Sequence, residues 1–190
     1  MPNGVQPLPN RSRPHGRHQI VNTNGLLIEL YERIPPLVVA ACDGLDERSL
    51  TTQPAGGGNT IGWLLWHLSR VQDHHLSELL GEAQLWQRSN WGERFGLDSD
   101  PNNTGYGHSP TEMVAVRAVG PDAIVDYHDA VWQRTRAYLG SLNAARLDDV
   151  IDDAWDPPVT LGVRLVSVAD DSLQHVGQAA YLRGLIERAA

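Results

Sequence analysis

The sequence predicts an all-α protein, a four-helix bundle, and three observations carry that expectation. Four segments of bundle length have apolar residues recurring at three- and four-residue steps. No stretch shows the sustained two-residue alternation of a half-buried strand. Stretches rich in glycine, proline and asparagine separate those four segments, with Pro35 and Pro36 the interruption inside the first.

The first helical pattern starts near Ile20 and runs through Leu26, Leu27, Leu30, Ile34, Leu37, Val38 and Ala41. Pro35 and Pro36 interrupt it and predict a kink or a break, and Gly44 ends it. Residues 49–58, with a proline and three consecutive glycines, read as a loop, after which Asn59 is placed to cap the next helix. That second helix carries Ile61, Leu64, Leu65, Leu68, Val71, Leu76 and Leu79 as its stripe, and Gly81 closes it. Residues 82–110 have no sustained period but hold Trp86, Trp91, Phe95 and Tyr106. A connection that long inside a compact domain is usually functional or disordered, and the aromatic residues argue against disorder. A short helix is expected at 110–118. Pro121 then opens a third long helix with Ile124, Tyr127, His128, Val131, Thr135 and Tyr138 on one side. Thr160 caps a last helix running to about Arg188, striped by Leu161, Leu165, Val168, Leu173, Val176, Ala179, Leu182 and Ile186. The long connection between the second and third helices is able to cross the bundle, so these two are expected to run parallel.

Composition narrows the function. With 190 residues the chain suits one main domain, taken as 20–190 behind a flexible tail at 1–19. All fifteen basic residues counted as Lys or Arg are arginine, which removes a Walker lysine, a Schiff-base lysine and a Ser–Lys dyad. Cys42 is the only cysteine, so no intramolecular disulfide and no cysteine-rich zinc site is expected, in keeping with a reducing cytoplasm. A net charge of −8 disfavours nucleic acid as a partner despite Arg11, Arg13 and Arg17 in the tail. The apolar stretches are too short for a membrane span, and the first residues lack the apolar core of a secretory signal.

The candidate chemistry lies on two helices. Asp171, His175 and Gln178 stand at i, i+4 and i+7 on the last one and share a face that overlaps the apolar stripe. A carboxylate and an imidazole one turn apart are able to share one cation, with Gln178 hydrogen-bonding a ligand from behind. A buried Asp–His hydrogen bond without metal explains the same pair. His67, within the stripe of the second helix, shifts the balance, because facing helices of a bundle deliver ligands to one point. His74 is about 10.5 Å further along the axis at 1.5 Å per residue, and His75 further still, so both are excluded from that site and read as solvated or structural.

These residues also carry a resemblance. The stretch NTIGWLLWHLSRVQDHHL resembles the second-helix signature of the DinB superfamily, in which the histidine after the Trp-Leu-Leu-Trp run is a metal ligand. The stretch DDSLQHVGQAAYLRGLI resembles its last-helix signature, H-x-x-x-H-x-G-Q followed by Tyr-Leu-Arg-Gly-Leu. The departure is Asp171, where many members have histidine. An acid there is similar to the actinobacterial branch that includes mycothiol-dependent maleylpyruvate isomerase, whose members use His, an acid and His, typically around zinc. The chain is too short for that isomerase's additional C-terminal domain. The resemblance therefore implies a four-helix bundle of DinB type, a metal site of His67, Asp171 and His175, and a stand-alone S-transferase. Such an enzyme conjugates mycothiol to an electrophilic small molecule in detoxification, as a homodimer. Zinc suits the donors, as do nickel, manganese and iron.

Two neutral imidazoles and one carboxylate leave a divalent cation positively charged with an open position, where a thiol loses its proton. Thiolate is then the nucleophile and the protein needs none of its own. Trp63, Trp91, Arg94, Phe95 and Tyr106 are candidates for the substrate wall, or else for packing across the bundle. The remaining tryptophans read as core and loop packing. Two other readings compete. One is a non-enzymatic metal-binding or stress-response protein. The other is a metal-dependent hydrolase in which His67, His128–Asp129 and Asp171 form an H…HD…D series.

Overall fold

A computed structural model describes residues 22–189. The expected tail at 1–19 lies outside them. The helices are α1 (Thr23–Glu32), α2 (Ile34–Cys42), α3 (Glu47–Thr51), α4 (Ile61–Leu80), α5 (Trp91–Arg94), α6 (Pro110–Ala115), α7 (Pro121–Ser141) and α8 (Leu161–Ala189). The four long segments of the sequence are α1–α2, α4, α7 and α8, and they form the all-α bundle of DinB type.

Each boundary has a local cause. Asn22 Oδ1 accepts from the Gly25 amide and starts α1. Pro35 and Pro36 lack the amide hydrogens that would continue α1, so α2 begins as a separate helix with proline in its first turn. Gly81, left-handed at φ 65°, ends α4, and Gly120, Pro121 and the break at Leu142 frame α7. Thr160 Oγ1 accepts from the Val163 amide, as its capping role requires.

Four expectations need correction. The segment at 49–58 is not all loop: Asp46 caps α3 by accepting from the Ser49 amide. The cap of α4 is Thr60 and not Asn59, because the Thr60 hydroxyl is the group that reaches the Trp63 amide. The helix at 110–118 stops at Ala115, since Val116 turns to ψ 106°. A small antiparallel pair, Val150–Asp152 with Val159–Thr160, occupies the acidic connection before α8.

Side-chain pairs fix the helix directions. Ser69 meets His128, Gln72 meets Thr135 and Ser77 meets Arg134, so α4 and α7 run parallel, as the long connection between them allows. His67 meets Asp171 whereas His75 meets Arg164, so α8 is antiparallel to α4. The Tyr31 hydroxyl donates to the Leu165 carbonyl and Arg183 donates to the Ala40 carbonyl, which sets α1–α2 parallel to α8.

α4 is the central helix, and every residue from Ile61 to Arg70 is buried. The crossover is anchored to it by charge. Asp73, fully buried, accepts from the Leu85 and Trp86 amides and the Tyr127 hydroxyl, and pairs with Arg70 and Arg134. Trp86, Phe95 and Tyr127 pack as a buried aromatic cluster beneath the crossover. Trp155 departs from the packing expectation: it is 67 % exposed in the hairpin connection. Among the described residues no helix is long and apolar enough to cross a membrane.

Candidate metal centre

His67 on α4 and Asp171 and His175 on α8 converge, although His67 and Asp171 lie 104 positions apart in sequence. His67 Nε2 lies 3.9 Å from Asp171 Oδ1, and His175 Nε2 lies 3.4 Å from the same oxygen. Tetrahedral donors at about 2.0–2.1 Å from one zinc ion stand roughly 3.4 Å apart, so these separations fit one small divalent cation. Asp171 Oδ2 is buried without a hydrogen-bond partner, an orphaned acceptor that coordination or a polar ligand would satisfy.

The hydrogen bonds behind the imidazoles set their tautomers. His67 Nδ1 lies 2.5 Å from the Thr104 carbonyl oxygen, which only accepts, so Nδ1 carries the proton and Nε2 keeps its lone pair toward Asp171. His175 Nδ1 donates in the same way to Gln178 Oε1 at 2.9 Å. Trp63 stacks on His67 at 4.6 Å and meets His175 edge-on at 6.1 Å, which holds both rings. Burial is the main effect pushing the His67 pKa below its ordinary value, against the opposing pull of Thr104 and Asp171. The His175 pKa is raised, first by its hydrogen bond to Asp171.

A second group, His74, His75 and Glu78, lies seven to eleven residues further along α4. Its wiring is opposite. Arg70 donates to Gln84 Oε1, so the Gln84 amide nitrogen is the atom that faces Pro101 O and His74 Nδ1, and it donates to both. His74 Nδ1 is thus an acceptor and its proton sits on Nε2, directed at Glu78 and unable to ligate. Arg164 also bonds His75 and Glu78, placing a cation where a metal would sit.

The triad opens onto a cleft of about 410 Å³ between α4 and α8, lined by Val71, His74, His75, Thr104, Tyr106, Ser167 and Val168 besides His67 and Asp171. Of the candidate wall residues only Tyr106 lines it, 92 % exposed at the rim. Trp63 stands behind the ligands instead. Trp91 packs on Tyr127, Arg94 pairs with Asp126 at 2.8 Å, and Phe95 is fully buried, so the crossover spends these three on packing against α7. The H…HD…D series does not assemble either. His128 is buried against Ser69, while Asp129 is exposed and accepts from Gln133.

The sequence reading missed the strap at 101–108, which crosses α4 over His67. Gly105 lies so close, at φ +92°, that a β-carbon there would stand 2.8 Å from His67 Nδ1. His108 accepts from the Trp63 indole at 3.1 Å and contacts Asn103 Oδ1 at 2.9 Å. The paired glycines of Thr-Gly-Tyr-Gly-His were the available signal, since glycine marks a close backbone approach.

Comparison with known proteins agrees with this architecture. A crystal structure of a conserved protein from Enterococcus faecalis is similar, at a TM-score of 0.78 and 33 % identity over 85 % of this chain and 95 % of that one. No curated protein matched the chain. Residues 33–188 match the family model described as mycothiol-S-transferase. Bundle, helix order and family model agree: the chain belongs to the DinB-like mycothiol-S-transferase family.

Proposed function

We propose that this protein is a metal-dependent S-transferase that joins mycothiol to an electrophilic small molecule, with His67, Asp171 and His175 holding the metal. The family match supports mycothiol as the thiol. The observation that carries the metal is the pair of tautomers: both imidazoles have their protons drawn away by Thr104 and Gln178, leaving two lone pairs and a carboxylate facing one point. A divalent cation bound there would supply the positive charge that keeps a thiol ionised at neutral pH.

The chain's own residues do the rest. His67 and Asp171 line the cleft, with His175 one turn beyond Asp171 on α8. Its volume of about 410 Å³ falls within the range usual for small-molecule sites. Val71 and Val168 give it apolar lining, and Ser167 and His75 offer polar groups. In the overall reaction the thiol S–H loses its proton, sulfur forms a bond to the electrophilic carbon, and that carbon expels its leaving group or passes its electron pair to a neighbouring atom. The chain supplies no nucleophile: Cys42 is fully buried, donates to the Val38 carbonyl, and burial pushes its pKa up to about 11.

The test is conjugation of mycothiol to a generic aromatic electrophile by the purified protein, before and after chelation. Activity that disappears with the metal and returns with zinc supports the reading. Full activity in the metal-free protein removes the metal from the mechanism. Stoichiometric metal without conjugation of any thiol leaves a non-enzymatic metal-binding protein.

A further inference from the structure

One turn beyond His67 on α4 stands Arg70, a guanidinium that is fully buried. Desolvating a charge is expensive, and well-packed apolar residues often replace a buried ion pair without loss. What the guanidinium touches therefore matters. On its core side it pairs with Asp73 at 3.5 Å, donates to the Tyr127 hydroxyl at 3.2 Å and lies over the Trp86 ring at 4.8 Å. Its other donors reach the strap: Nε to the Asn103 carbonyl and Nη2 to the Pro101 carbonyl, each at 3.1 Å. Nη2 also holds Gln84, whose amide nitrogen gives Pro101 a second hydrogen bond. The next carbonyl along the strap is that of Thr104, the one on His67 Nδ1.

We infer that Arg70 is the positioning residue of this site: by clamping the Pro101 and Asn103 carbonyls it holds the Thr104 carbonyl on His67 Nδ1 and keeps Nε2 unprotonated toward Asp171. The inference rests on the proposed reading of His67 as a ligand, but what it says about the tautomer does not need a metal. Arginine is required because one planar fork with five donors serves two strap carbonyls, Gln84 and Tyr127 at once, and a lysine ammonium has three donors on a single point. His175 takes its orientation from Gln178 on its own helix and is independent of the strap.

The experiment is nitrogen-15 NMR of histidine-labelled, metal-free protein at pH 8, with zinc affinity measured by competition against a chelator. In the wild type, His67 shows a protonated Nδ1 and a bare Nε2. In Arg70→Lys the His67 signals move toward the Nε2–H form, those of His175 stay, and zinc affinity falls about 10–100-fold, the usual effect of losing the group behind a metal-ligating histidine. A folded Arg70→Lys protein whose His67 remains fixed as in the wild type overturns the inference and leaves Arg70 a structural residue. If Arg70→Lys does not fold, Gln84→Ala decides in its place, because it loosens the same clamp and leaves the Arg70–Asp73 pair intact. An unchanged His67 there overturns the inference equally. A tautomer shift in a protein that never binds zinc keeps the anchor and retires the metal reading.

Discussion

Gly105→Ala probes the close approach of strap and ligand, and Gly107→Ala supplies its control. Both glycines have positive φ, +92° at Gly105 and +74° at Gly107. An alanine therefore meets a left-handed backbone penalty of roughly 1–2 kcal/mol at either position. Only Gly105 also meets neighbours. Its β-carbon would stand 2.8 Å from His67 Nδ1, 2.8 Å from Trp66 Cζ3 and 3.1 Å from Trp63 Cζ2, whereas nothing lies within 4 Å of the one at Gly107. Forcing a methyl into packed surroundings adds about 1–3 kcal/mol. Urea unfolding of the metal-free proteins should thus show Gly105→Ala losing about 2–5 kcal/mol and Gly107→Ala about 1–2 kcal/mol. The excess at 105 should be accompanied by weaker zinc binding, because the strap has to lift off His67. Equal losses at the two positions, with equal zinc affinity, would refute the placement of the strap against the ligand.

Three further outcomes follow from the same structure. His128 is fully buried, and desolvation pushes its pKa down to about 4 from 6.5 against the opposing charge of Asp129. The unfolded chain therefore takes up a proton that the native state refuses, and stability present above pH 6.5 is lost as the pH falls toward 4, by an amount of about 3 kcal/mol. Denaturant midpoints from pH 7.5 to 4.5 should fall more steeply in the wild type than in His128→Gln, and parallel curves would contradict this. Cys42→Ala should retain conjugation activity, measured as kcat/KM, and the wild-type thiol should resist alkylation in the native state, because it is buried with its pKa near 11. Arg94→Ala should alter neither zinc affinity nor KM and should destabilise by less than about 1 kcal/mol, since it removes a partly exposed ion pair with Asp126 remote from the cleft. A raised KM would return Arg94 to the substrate wall.

The residues differ in how much of their role was legible in sequence. Spacing at three and four residues marks the buried face of a helix, so α4, α7 and α8 and their core stripes could be read directly. The i, i+4 spacing of Asp171 and His175 likewise fixes a shared face without tertiary information. Capping depends on which hydroxyl or carboxylate reaches an amide, so sequence alone does not separate Asn59 from Thr60 as a cap, nor the five-residue α3 from a loop. The crossover was the least legible part. Trp91, Arg94 and Phe95 have the chemistry of a ligand wall, yet their partners Tyr127 and Asp126 lie on α7, and no local pattern links them. The strap is hidden for the same reason, because Thr104 acts through its backbone carbonyl and a carbonyl leaves no mark on residue identity.

Metal analysis decides whether His67, Asp171 and His175 bind one divalent cation together. Protein loaded with zinc and freed of excess should hold one ion per chain, and His67→Ala, Asp171→Ala and His175→Ala should each hold far less while keeping their helical circular dichroism. His74→Ala and His75→Ala should load as the wild type does, since the wiring of His74 and the presence of Arg164 leave no cation site there. Full loading in all three triad variants, or loss confined to His74→Ala and His75→Ala, would mean that the triad does not hold the metal.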